Sequence, residues 1–156
     1  MNFIVIGLSL LVAMVLAMLP MPLLFDPFRP DWLALVLLYW SLALPHRVSV
    51  GVAWFCGLVM DILLGSTMGV HALALTMVIY VAALNFQKIR NFSLWQQSAI
   101  VGLLVAAKLM LVYWVEHVAN SVAITGHYFF PALTSAAMWF WLFPLLRRLR
   151  RRFRIR

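Results

Sequence analysis

The sequence predicts an all-α integral membrane protein, with six transmembrane helices in one compact bundle. Three observations predict it. Hydrophobic residues make up 66% of the 156 and charged residues 10%, with a mean hydropathy of +1.02, whereas a soluble domain carries roughly 45–50% apolar and about 25% charged residues. Formal charge is absent from Met1 to Phe25, from Ile62 to Gln87 and from His117 to Leu146, and about 20 apolar residues suffice to span a hydrocarbon core. Finally, the apolar runs are continuous and do not alternate, which reads as helix and excludes the period-two pattern of a transmembrane barrel.

The spans fall at 3–19, 31–44, 48–64, 70–86, 94–115 and 128–146. The first is an uncleaved span, because Met1-Asn2 brings no basic residue and Ala17-Met18-Leu19-Pro20 lacks the small-x-small cleavage pattern. Pro20, Pro22, Pro27 and Pro30 exclude regular helix from the next connection, since proline has no amide donor and disfavours helix in the residue before it. Pro45-His46-Arg47 marks a tight turn, Gly65 to Gly69 a second and Asn85 to Ser93 a third, while Glu116 to His127 is a longer connection. The second span is short for a perpendicular crossing, so a re-entrant pair formed by the second and third spans is the competing topology. Charge favours six crossings with both termini cytoplasmic. Arg47, Lys88, Arg90 and the seven tail arginines then face the cytoplasm and Arg29 alone the other side, as the positive-inside rule requires. The chain thus divides into one transmembrane domain, 1–146, and an arginine-rich cytoplasmic tail, 147–156.

Trp32, Tyr39, Trp40, Trp95, Tyr113, Trp114, Tyr128, Trp139 and Trp141 lie mostly near span ends and are expected as interfacial anchors. The single cysteine, Cys56, falls inside a span and is expected as a small packing residue; it leaves no intrachain disulfide to form.

Few residues carry chemistry. Asp61 and Lys108 are the ionisable groups well inside spans, where charge is costly and needs a partner. Counted from the cytoplasmic ends, both sit at ~20 Å depth, so an ion pair between them is one expectation and a proton or substrate role another. Gly57 to His71 combines Asp61 with Gly65 and Gly69, four apart; that spacing suits close helix packing, and the same stretch also reads as a turn. Asp61, Ser66 and His71, each five residues from the next, point to different sides of a single helix, and His46, His71, His117 and His127 lack the paired spacing of a zinc site. No catalytic, cofactor or metal site is expected. Arg147, Arg148, Arg150, Arg151 and Arg152 are expected to contact anionic lipid or a cytoplasmic partner, and nucleic acid is not, since no groove-reading module accompanies them.

Arg29-Pro30-Asp31-Trp32, the run Leu38 to Arg47, the Gly57 to Gly69 segment and Arg90 to Gln97 together resemble the MreD family of rod shape-determining membrane proteins of proteobacteria. The likeness covers almost the whole chain in length, span order and motif order. The first twenty-odd residues and 116–127 match in hydropathy alone, and Lys108 corresponds to nothing in the family pattern. The resemblance implies a six-helix fold similar to the substrate-binding subunits of energy-coupling-factor transporters, located in the inner membrane. It also implies a non-enzymatic role in the cell-elongation machinery, with the bitopic periplasmic protein MreC, the MreB filament, a SEDS-type glycosyltransferase and a class B penicillin-binding transpeptidase.

The expectation is therefore a membrane scaffold of lateral peptidoglycan synthesis and rod shape. Arg29, Pro30 and Asp31 are its candidate outer contacts, and Asp61, Gly65, Gly69 and Lys108 candidate core or partner residues. A small-molecule-binding subunit of a transporter is the alternative, and a proton conductor using Asp61 and Lys108 a third reading.

Overall fold

The computed structural model describes residues 2–121, 123 and 129–155; His127, Tyr128 and Arg156 lie outside the described residues. Helices α1 (Asn2–Met18), α2 (Trp32–Ala43), α3 (Val50–Leu64), α4 (Val70–Leu84), α6 (Leu94–Asn120) and α7 (Phe130–Arg152) fall on the six apolar segments, and the described residues contain no strand. A short helix, α5 (Phe86–Asn91), occupies the stretch expected as a turn at Asn85–Ser93, and a 3-10 turn (Asp26–Phe28) lies within the proline-rich connection.

The organising element is α2. Its twelve residues extend only ~18 Å, and every residue from Leu33 to Leu42 is buried. A helix apolar on all sides must be shielded from water by protein or by lipid, and here α1, α4, α5, α6 and α7 all pack on α2. Tyr39 and Trp40 are therefore core residues, as is Trp139 of α7, and the expectation that these three anchor the molecule at a headgroup layer is corrected. Hydropathy is equally satisfied by lipid and by protein interior. Trp95, Trp114 and Trp141 do face outward. Trp40 reaches α1 through a 2.9 Å bond from Nε1 to Ser9 Oγ.

Two helices run past their expected ends. Nothing between Glu116 and Asn120 breaks a helix, so α6 continues to Asn120 and stops at Ser121, whose φ of 53° is left-handed. Its start is fixed by the Ser93-x-x-Gln96 capping box, in which Gln96 Oε1 accepts from Ser93 N–H at 3.2 Å. Helix α7 continues through the tail to Arg152, because arginine is a good helix former and cations are favoured at a helix C-terminus. The chain then folds back, and Ile155 is buried, its amide bonded to Arg150 O at 3.1 Å.

Close backbone approach is bought by two glycines. A Cβ on Gly57 would stand 2.3 Å from Ala72 Cα, so α3 and α4 meet there almost backbone to backbone; one on Gly102 would stand 2.9 Å from Ala136 Cβ, where α6 meets α7. By length and composition, α6 is long and apolar enough to cross a membrane, and α1, α3 and α4 are shorter apolar helices. Large apolar side chains face outward on each of them, among them Ile4, Leu8, Phe55, Ile62, Leu73 and Leu103.

Candidate functional site

Three polar clusters interrupt the apolar bundle. The first gathers on Asp31. As the N-cap of α2 it accepts from Ala34 N–H at 3.3 Å, and its own N–H donates to Ser135 Oγ of α7 at 2.9 Å. Its second carboxylate oxygen takes an ion pair from Lys108 Nζ, in the middle of α6. Both side chains are largely buried, so each charge depends on the other. The preceding Arg29 donates to Leu16 O at 3.2 Å, one of the carbonyls that the end of α1 leaves without an intrahelical partner. Arg29-Pro30-Asp31 is thus half-buried, and it ties α1, α2, α6 and α7 together at one end of the molecule.

The second cluster gathers on Asp61, whose side chain is fully buried. Gly65, at φ 65°, ends α3, and Gly69, at φ 93°, begins α4. Neither glycine has a close neighbour where a Cβ would stand; their left-handed backbone, and not helix packing, is what requires glycine. The resulting tight turn folds the start of α4 onto Asp61. Its Oδ1 accepts from Ser66 Oγ (2.9 Å), His71 N–H (3.0 Å) and His71 Nδ1 (2.9 Å), and its Oδ2 from Gly69 N–H (2.9 Å) and Ala72 N–H (3.4 Å). An anion at a helix N-terminus faces free amide donors and the positive end of the helix dipole.

The expected pairing of Asp61 with Lys108 is therefore corrected: Asp61 pairs with His71, and Lys108 with Asp31. Residue counting gives the two groups similar heights, but α3 packs on α4 and α4 on α6, which places α4 between their helices. The expectation that Asp61, Ser66 and His71 diverge is corrected too, because they lie on two helices and not on one. They do not form a hydrolytic relay. In a relay, histidine bridges acid and serine through opposite ring nitrogens, whereas here Nδ1 faces both Asp61 (2.9 Å) and Ser66 Oγ (3.3 Å). With Nδ1–H and the Ser66 hydroxyl both donating to the carboxylate, the cluster is a closed latch. Sequence reasoning passed over His71 and Ser66 as partners of Asp61; two glycines between residues 61 and 71 were the signal of a hairpin.

The third cluster is basic. Arg90 ends α5, and Arg147, Arg148, Arg150, Arg151 and Arg152 occupy the last turns of α7. Arg148 and Arg152 edge an apolar groove of about 630 Å³ between α1 and α7. Arg90, Arg147 and Arg150 face a separate pocket. At the same end, the Arg47 guanidinium lies 5.2 Å over the Phe3 ring. Among the described residues, no group of three histidine, cysteine, aspartate or glutamate side chains could hold a metal ion.

Among the described residues the molecule is a helical bundle, with its buried charges tied to one another and most of its basic residues collected at one end. The family profile described as rod shape-determining protein MreD matches residues 1–149. The rod shape-determining protein MreD of Haemophilus influenzae is 41% identical over 144 residues, 92% of this chain and 89% of that protein. The chain belongs to the MreD family, a family of membrane proteins that act in rod shape determination. No solved structure matches it.

Proposed function

We propose that this chain is a non-enzymatic scaffold in the bacterial inner membrane that supports lateral peptidoglycan synthesis by holding MreC and, through it, the elongation synthase. In this reading the six apolar segments cross the membrane, the short α2 inside the ring of the others, with both termini cytoplasmic. The outer end carries Arg29-Pro30-Asp31, and the inner end carries the arginines toward anionic lipid and the MreB filament. That synthase is composed of the SEDS glycosyltransferase and the class B transpeptidase.

The observation that carries the reading is the fate of the buried charges. Asp31, Lys108, Asp61 and His71 are the ionisable groups a transporter or proton conductor would use, and each is engaged inside the chain by a partner on another helix. Groups so engaged hold helices in register. Outward apolar side chains over α1, α3, α4 and α6 support lipid and partner-helix contact, and gathering the basic residues at one end is what the positive-inside rule demands.

Depleting the protein from a rod-shaped cell tests the role: cells should round up, and continued rod growth would contradict it. Mild-detergent pull-down from membranes tests the scaffold. Recovery of MreC and synthase components is expected; recovery of transporter ATPase subunits without them would overturn it.

A further inference from the structure

The inner end of the molecule holds a pocket of about 290 Å³, lined by Tyr39, Arg90, Gln97, Phe143, Arg147 and Arg150. Its three guanidinium groups come from two helices, α5 and α7. No carboxylate lines the pocket. The chain has only four acidic residues, and Asp31 and Asp61 are committed to Lys108 and His71. Three cations lining one pocket without a counter-charge favour an anion there, although Arg150 Nε also donates to Ile155 O at 3.4 Å, and guanidinium groups match phosphate oxygens in bidentate geometry.

Gln97 adds a second, independent requirement. It is buried, at 4% exposure, and its Nε2 donates to the backbone oxygens of Ile89 (3.0 Å), Arg90 (3.4 Å) and Phe92 (3.4 Å). Turning the amide over would aim its oxygen at three carbonyls, so the orientation is fixed by the network. Gln97 Oε1 is then a buried acceptor without a hydrogen-bond partner, and a buried acceptor left unpaired is costly. A fully esterified or fully ionised phosphate has nothing to offer it. A phosphate with an adjacent hydroxyl or ammonium satisfies the arginines and Gln97 together. The volume is at the small end for ligand pockets, which run from about 300 Å³ upward, and suits a headgroup-sized ligand.

We propose that this pocket binds a phosphate group bearing a neighbouring hydroxyl or ammonium donor, carried either by a membrane lipid or by a small soluble phosphate. The proposal needs only the pocket and stands whether or not the chain holds MreC.

The test titrates the full detergent-solubilised chain with short-chain phosphatidylglycerol, with phosphatidylmethanol, which lacks the donor, and with glycerol 3-phosphate. Phosphatidylglycerol should bind one to one and more tightly than phosphatidylmethanol. Arg90→Gln should weaken it about fivefold and Arg147→Gln/Arg150→Gln on the order of 25-fold, taking each arginine near its usual contribution to anion binding. The charge-matched Arg148→Gln/Arg152→Gln, on the same helix but off the pocket, should change little. Gln97→Leu should erase the preference between the two lipids, a ratio read within one variant and so independent of its stability. Displacement of the lipid by glycerol 3-phosphate assigns the site to soluble phosphate, and lack of displacement assigns it to lipid; either supports the site. No saturable binding of any of the three, or equal losses in the two double variants, would overturn it.

Discussion

Lys108, in the middle of α6, forms its ion pair with Asp31, the cap of α2, across 77 positions of sequence. One residue thereby starts α2 and anchors α6 through its carboxylate and, through its backbone amide, holds Ser135 of α7. Removing one partner leaves the other charge largely buried without a counter-charge, a change that costs about 3–5 kcal/mol when burial is complete. Lys108→Met should therefore lower thermal stability in detergent sharply. Asp31→Asn/Lys108→Met should recover most of the loss, since asparagine caps a helix as well as aspartate does and no charge is left unpaired. The check is a thermal-unfolding cycle over the four proteins, with the double variant more stable than Lys108→Met.

Asp61 accepts five hydrogen bonds, three of them from backbone amides of the turn and α4. An amide side chain has one acceptor oxygen, so Asp61→Asn leaves several donors unpaired, each costing about 1–3 kcal/mol. Ser66→Ala removes only one neutral donor and should cost about 1 kcal/mol. Limited proteolysis across residues 65–69, alongside thermal unfolding, should rank Asp61→Asn well above Ser66→Ala.

Gly57 and Gly65 are needed for different reasons, and substitutions separate them. Gly57→Ala drives a methyl group into the backbone of Ala72, beyond the flexible side-chain adjustments for which overpacking typically costs about 1–3 kcal/mol. At Gly65 there is room, and only the left-handed φ resists, a strain of roughly 1–2 kcal/mol for alanine. Gly57→Ala should be the more damaging. Gly65→Asn should be milder than Gly65→Ala, because asparagine tolerates that conformation. Unfolding temperatures of the three variants decide both points.

The positions of the long helices were legible because each centres on a mostly apolar run bounded by proline, glycine or charge. What hydropathy could not tell was which apolar surface meets protein and which meets lipid. Tyr39, Trp40 and Trp139 therefore read as interfacial anchors when they are core. Helix rise likewise gave comparable heights for Asp61 and Lys108 but not their neighbours, which depend on α4 lying between their helices. Helix ends misread where polarity was taken for a break: Glu116 and Arg147 are polar, yet neither breaks a helix, and α6 and α7 run through them. The link between Asp61 and His71 stayed hidden because the two five-residue steps, from Asp61 to Ser66 and from Ser66 to His71, mean divergence on one helix and contact across a hairpin. Gln97 gave no signal, since its significance lies in an atom left without a partner.

The central claim is that charges inside the bundle hold helices together and carry no proton or substrate. The most direct measurement is cell shape in a depletion strain rescued by Lys108→Met or by Asp31→Asn/Lys108→Met, at matched protein levels. The account predicts rounded cells with Lys108→Met and rods with the double variant. Rounded cells from a stably accumulated double variant would contradict it, since only a function that needs the charges themselves would then remain lost.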